Sequence, residues 1–205
     1  MANRIISVLN QSFEDVIPLF RMNTANQKTT DTGNGDNGVF VAVEQGDGNL
    51  DFITSVLEAN QIGYGESYPT VGFNRAYTCP HTVKPATSGD ACLGITITQS
   101  AVQDENGEWL LRHPDKARSI GVVPSGSATA ILQHGQFMLD DAAFDGNLTP
   151  GSKFKISANA GKITGCAVDD ARAIGDVLIT GTRSAGIFAD RYAGTTTSTY
   201  AVVRF

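Results

Sequence analysis

A mainly β fold, a small antiparallel β-barrel or sandwich with an extended N-terminal arm and at most one or two short helices, is predicted by three features of the sequence. The last third cycles through short apolar stretches separated by Gly, Pro, Asn and Ser turns. Helical periodicity is scarce outside residues 50–59. Apolar residues at the start give way, from Met22 onward, to a polar tract ending Asp31-Thr-Gly-Asn-Gly-Asp-Asn-Gly38.

Residues 1–38 are read as the arm. Ile5, Ile6, Val8 and Leu9 precede Val16-Ile-Pro-Leu-Phe20, and Pro18 argues against a continuous helix there. Apolar anchors followed by a polar tract describe a segment that lies either on its own body or on a neighbour. The part from Met22 onward is expected to be the less protected. The β-rich body spans 39–205, read as one body, with a division near residue 115 as the alternative.

Within the body, Val39-Phe-Val-Ala-Val43 is a strand by its β-branched content. Leu50, Ile53, Val56 and Leu57 have helical spacing, with Asn49 or Asp51 as N-cap and Gly63 as the stop. Pro69, Pro80 and Pro85 interrupt weak strands. From Cys92 to Thr98 apolar and hydroxyl side chains alternate, as in a half-exposed strand. Asp104-Glu-Asn-Gly107 makes a solvated turn. Ser119 to Val123 and Ala128 to Leu132 read as a strand pair around Pro124-Ser-Gly126. Six further stretches follow: Gly135-Gln-Phe-Met-Leu, Leu148-Thr-Pro-Gly-Ser-Lys-Phe-Lys-Ile156, Ala160-Gly-Lys-Ile163, Ile174-Gly-Asp-Val-Leu-Ile179, Gly186-Ile-Phe-Ala189 and Tyr200-Ala-Val-Val-Arg-Phe205. No fixed period relates them, which argues against a solenoid or propeller.

A chain of 205 residues that is 41% hydrophobic can bury a core without disulfides or metals. Charged residues make up 18%, against about 25% in ordinary domains. That deficit fits either a partner-covered surface or one solvated by Ser and Thr hydroxyls. A net charge of −6 without any Lys/Arg run leaves no footprint for a phosphate backbone, so no direct nucleic-acid partner is expected. Cys79, Cys92 and Cys166 are odd in number and match no CxxC spacing. Free buried thiols in a protein made in the cytoplasm are favoured over a Cys79–Cys92 bridge. The N-terminus lacks the apolar core of a signal peptide and no apolar run reaches membrane-spanning length, so a soluble protein without a membrane partner is expected.

Chemistry is sparse. His81, His113 and His134 each lack a partner at ligand spacing, and no HExxH or paired CxxC occurs. Gly121-Val-Val-Pro-Ser-Gly126 lacks the Lys-Ser/Thr ending of a phosphate loop and reads as a tight hairpin. Asp47, Asn49, Asp51 and Glu58 outline a calcium loop, but Phe52 stands where the turn glycine belongs. No catalytic residue, metal site or cofactor is therefore assigned, and an enzyme is not expected.

The run from Gly135 through Pro150-Gly151, Gly161-Lys162 and Ile174-Gly-Asp-Val177 resembles the head decoration, or capsid cement, proteins of tailed bacteriophages. Leu93-Gly-Ile-Thr-Ile-Thr and Ile120-Gly-Val-Val have the same style, so the likeness covers roughly residues 90–205. The resemblance implies a virion structural protein on the capsid exterior. It would bind across junctions of the major capsid protein and self-associate, with a homotrimer favoured. An arm carrying Ile5, Ile6, Leu9, Phe13, Ile17 and Phe20 would supply apolar anchoring to the capsid, the alternative being that the same residues complete the protein's own barrel. The alternative is a head-fibre or receptor/glycan-binding β domain, for which the aromatic stretch Tyr64, Tyr68, Phe73 and Tyr77 is the relevant feature.

Overall fold

The computed structural model describes residues 4–10, 12–22, 35–44, 81–104, 106–110, 112–124, 127–184 and 197–205. The fold is mainly β, as its sequence predicts. Strands β1 (Ile5–Asn10), β2 (Val16–Met22), β3 (Phe40–Glu44), β4 (Thr82–Pro85) and β5 (Cys92–Thr96) come first. Strands β6 (Gln99–Ala101) and β7 (Val122–Pro124) flank a short helix, α1 (Pro114–Ser119). Then follow β8 (Thr129–Leu132), β9 (Gln136–Asp140), β10 (Phe144–Asp145), β11 (Lys153–Ile156), β12 (Ile163–Cys166), β13 (Gly175–Ser184) and β14 (Thr197–Arg204).

Two assemblies share these strands. One is a closed five-stranded barrel in the order β2-β4-β3-β5-β8, sealed where β8 pairs antiparallel with β2, Val16 opposite Leu132 and Ile17 opposite Ile131. The other is a seven-stranded sheet ordered β1-β9-β14-β13-β11-β12-β10. In that order β9 and β10 are five spacings apart, yet β9 ends at Asp140 and β10 begins at Phe144. Laid flat, five spacings span about 24 Å, while four residues of chain reach at most about 14 Å. The sheet therefore curls until its outer strands approach each other.

Over Phe40–Ala42 strand β3 is buried on both faces, so it reads as a continuous apolar run there. In β3, Phe40 and Ala42 join the core shared with the curled sheet, while Val41, like Val39 just before the strand, fills the barrel interior with Met22, Val83 and Ile131. Phe40 is fully buried and meets Phe154 and Phe205 edge-on, each at a centroid distance of 6.0 Å. That geometry favours aromatic pairs, and it ties the barrel to the sheet. Gly161, with φ +72, bolts the β11–β12 turn to the barrel: its amide donates to the Ala86 carbonyl at 2.8 Å and its carbonyl accepts the Phe40 amide at 3.2 Å. A Cβ there would lie 2.5 Å from Val39 Cγ1, so only glycine allows the approach.

Of the two placements open to the N-terminal segment, its own body or a neighbour, the described residues show the first. Residues 5–10 and 12–22 are woven into the body. β1 is an outer strand of the sheet, paired with β9, and β2 is a stave of the barrel between β4 and β8. Ile5, Val8 and Val16 pack on the shared core, and Phe20 on the barrel core. The shared core runs from Phe40 to Val203 and so crosses residue 115 without a break.

The expected hairpin around Pro124-Ser-Gly126 does not form. β7 pairs parallel with β6, and β8 joins the barrel instead. Residue 119 closes α1, a helix the periodicity did not reveal. Its signals are Pro114 at the first turn, where the missing amide costs nothing, and Gly121 at φ +69 after its end. Ala101, Leu110, Ala117 and Val122 form a small separate core beneath it. Thr96, read as half-exposed, is buried; its hydroxyl accepts the Val39 amide at 3.1 Å and donates to the Asp36 carbonyl at 3.2 Å. The helix expected at 50–59, the Asp47–Glu58 loop, the aromatic stretch, Cys79 and residues 186–189 lie outside the described residues.

Candidate interaction surface

The structure divides the six residues expected to anchor on a partner. Ile5, Ile6, Ile17 and Phe20 are half-buried, Ile5 opposite Leu139 and Phe20 with its ring 6.1 Å from that of His81. Phe13 belongs to a short 3-10 turn, Phe13–Asp15, between β1 and β2. Leu9, 50% exposed, is left facing out. Pairing with β9 consumes one edge of β1, and bulges between Ile5 and Ser7 and between Val8 and Asn10 turn its residues away from strict alternation. Leu19 on β2, 60% exposed, is an outward aliphatic residue that the sequence reading did not single out.

Other exposed apolar side chains lie on separate parts of the surface. Trp109 and Ile120 stand on the lobe around α1. On β13, Leu178 occupies a bulge opposite Val202 and Val203, which puts both Leu178 and Ile179 on the outside. Among the described residues, β13 pairs beyond Val177 with β14 alone, and β14 pairs with β9 only from Tyr200 onward. Within that set the distal part of this hairpin is a two-stranded ribbon with open edges, the feature that strand addition uses.

The lobe is held by a carboxylate that the sequence placed in solvent. Asp104 is 2% exposed. One of its oxygens accepts the Asn106 and Glu108 amides at 3.0 and 2.7 Å, and the other meets Lys116, which also binds Glu108. The Lys116 ammonium and these amides hold the Asp104 carboxyl below its usual range. Three other aspartates are built alike. At Asp90 the Thr87 amide and then Lys84 lower the carboxyl; at Asp170 it is Lys155, then the Arg172 amide. At Asp145 burial opposes the charge, but Ser157, Asn159 and Lys162 outweigh it. Asp145 lies on the strand that curls toward Arg4. The Arg4 guanidinium is itself lowered by burial against the pull of Asp36 and Asp145.

These directions set a pH dependence. A carboxyl whose folded value is depressed stabilises the fold above its unfolded value, about 3.9 for Asp, and loses that contribution as pH falls through the folded value. The melting temperature is expected to hold level from about pH 7 to about pH 5 and to fall below about pH 4. A midpoint unchanged down to about pH 3 in a thermal melt would contradict this coupling.

Nucleophile chemistry is not assembled among the described residues. Ser12, Asp15 and His134 line one shallow depression, but no side-chain hydrogen bond links them. The Ser12 hydroxyl instead accepts the Glu14 amide at 3.3 Å. Cys92 and Cys166 are free and half-buried. Burial pushes the Cys92 thiol up to about 12, against a hydrogen bond to the Gly94 carbonyl, so it remains a neutral thiol. No group of three His, Cys, Asp or Glu side chains has metal-holding geometry, and no helix is long and apolar enough to cross a membrane, among the described residues. No family model, curated protein or solved structure matches the chain.

Proposed function

We propose that this protein is a virion structural protein that decorates and stabilises a capsid from the outside, binding across junctions between major capsid subunits. The observation that carries the reading is the spread of exposed aliphatic and aromatic side chains over separate parts of the surface: Leu9 on β1, Leu19 on β2, Trp109 beside α1, and Leu178 and Ile179 on β13. A protein that staples several subunits needs modest contacts in several directions, because linked contacts multiply into a firm attachment. The resemblance of residues 90–205 to capsid cement proteins points the same way. It also makes self-association, as a trimer, the expected arrangement. The acidic charge fits a protein partner better than nucleic acid.

Co-sedimentation of the purified protein with capsids tests this. Saturable binding at a fixed ratio to the major capsid protein is expected, with a blue shift of fluorescence from Trp109, the single tryptophan. Absence of binding, together with retention on immobilised glycans, would overturn it in favour of a displayed receptor-binding domain.

A further inference from the structure

We propose that the cleft between the barrel and the curled sheet, about 300 Å³ in volume, binds an acidic polypeptide segment. An apolar side chain would fill its floor and a neighbouring carboxylate would meet Arg172. This inference is independent of the capsid reading.

Both walls are pinned in the same way. On the barrel side, the turn from β4 to β5 is fixed by Asp90: one carboxylate oxygen accepts the Thr87 amide and hydroxyl at 2.9 and 2.8 Å, and the other meets Lys84 at 3.0 Å. On the sheet side, the loop from β12 to β13 is fixed by Asp170, which accepts the Arg172 amide at 2.9 Å and Lys155 at 2.7 Å. Each aspartate is thus neutralised by a lysine from an adjacent strand. The walls are preformed, which lowers the ordering cost of binding.

Among the described residues Arg172 is the lining cation with no ion pair; its electrostatic neighbour Asp170 is already bonded to Lys155. Cys92, Ile156 and Ile174 line the cleft, and Ala91, Ala171 and Ala173 leave it room. The volume lies at the low end for ligand sites, and the cleft is open to solvent. A free small molecule needs most of its surface buried, whereas a side chain carried on its own backbone does not. That difference favours a polypeptide occupant. An apolar floor with one unpaired cation selects an aliphatic residue next to Glu or Asp.

The test is an amide-shift titration of the full-length ¹⁵N-labelled protein with the capped hexapeptides N-acetyl-Gly-Gly-Leu-Glu-Gly-Gly-amide and N-acetyl-Gly-Gly-Leu-Gln-Gly-Gly-amide. Saturable shifts concentrated at residues 88–92 and 171–174 are expected, with the Glu peptide bound about two- to five-fold more tightly. Arg172→Gln should erase that preference without moving the melting temperature. Ala173→Leu should abolish binding of both peptides by filling the floor, with Ala91→Leu as the substitute if that variant melts early. Shifts scattered elsewhere, equal affinity for the two peptides, or a preference that survives Arg172→Gln would each overturn the proposal. Binding of free 4-methylpentanoate as tightly as the Glu peptide would overturn the polypeptide occupant in favour of a small carboxylate.

Discussion

A chain lacking residues 1–20 is expected to show no cooperative thermal transition and, under the proposed decoration role, to lose capsid attachment at the same time. The deletion removes β1, which covers the outer edge of β9, and most of β2, the stave that closes the barrel between β4 and β8. It also takes Ile5, Val8 and Val16 from the shared core and Phe20 from the barrel core. Large apolar side chains lost from a core cost about 2–5 kcal/mol each, and these are only half-buried. Even so, their sum with the lost strand pairing is comparable to a whole domain's stability of about 5–15 kcal/mol. Ending the deletion at Asn10 spares the barrel, so that variant is expected to melt cooperatively at a lower temperature. A chain without residues 1–20 that melts like the full protein, yet fails to bind capsids, would restore the free arm.

Phe40→Ala is expected to cost about 3–5 kcal/mol, the range for truncating a fully buried Phe. In a domain of this size that lowers the melting temperature by about 6–20 °C. Phe40 bridges β3 to both Phe154 and Phe205, so its loss opens a cavity where barrel and sheet meet. Val43→Ala on the same strand is the control. Val43 is 54% exposed, and the change should stay within about 0.5 kcal/mol. Equal effects of the two substitutions in a denaturant titration would show that the barrel and the sheet do not depend on this contact.

The features legible in the sequence are local. The turn-bounded stretches that became β9, β11, β12, β13 and β14 were readable because glycine turns such as Gly151 at φ +80 and Gly161 at φ +72 sit between short extended runs. Residues 39–43 were readable as a strand because β-branched and aromatic side chains crowd there. The six residues of α1 were too few to show a helical period, although Pro114 and Gly121 marked its ends. Which strand lies beside which emerges only from packing. The apolar content of β1 and β2 says that these segments are partly covered, and it says nothing about what covers them. Ile5 finds Leu139 and Val16 finds Leu132 far along the chain, which turns an expected arm into a sheet edge and a barrel stave. In the same way β7 takes β6 as its partner and leaves β8 to the barrel. The cleft follows the same rule, since Lys84 and Lys155 neutralise Asp90 and Asp170 only once the strands and turns that carry them are packed. Strand pairing and ion pairing are contacts between distant residues, and a single segment encodes the side chains it offers but not the neighbour that will accept them.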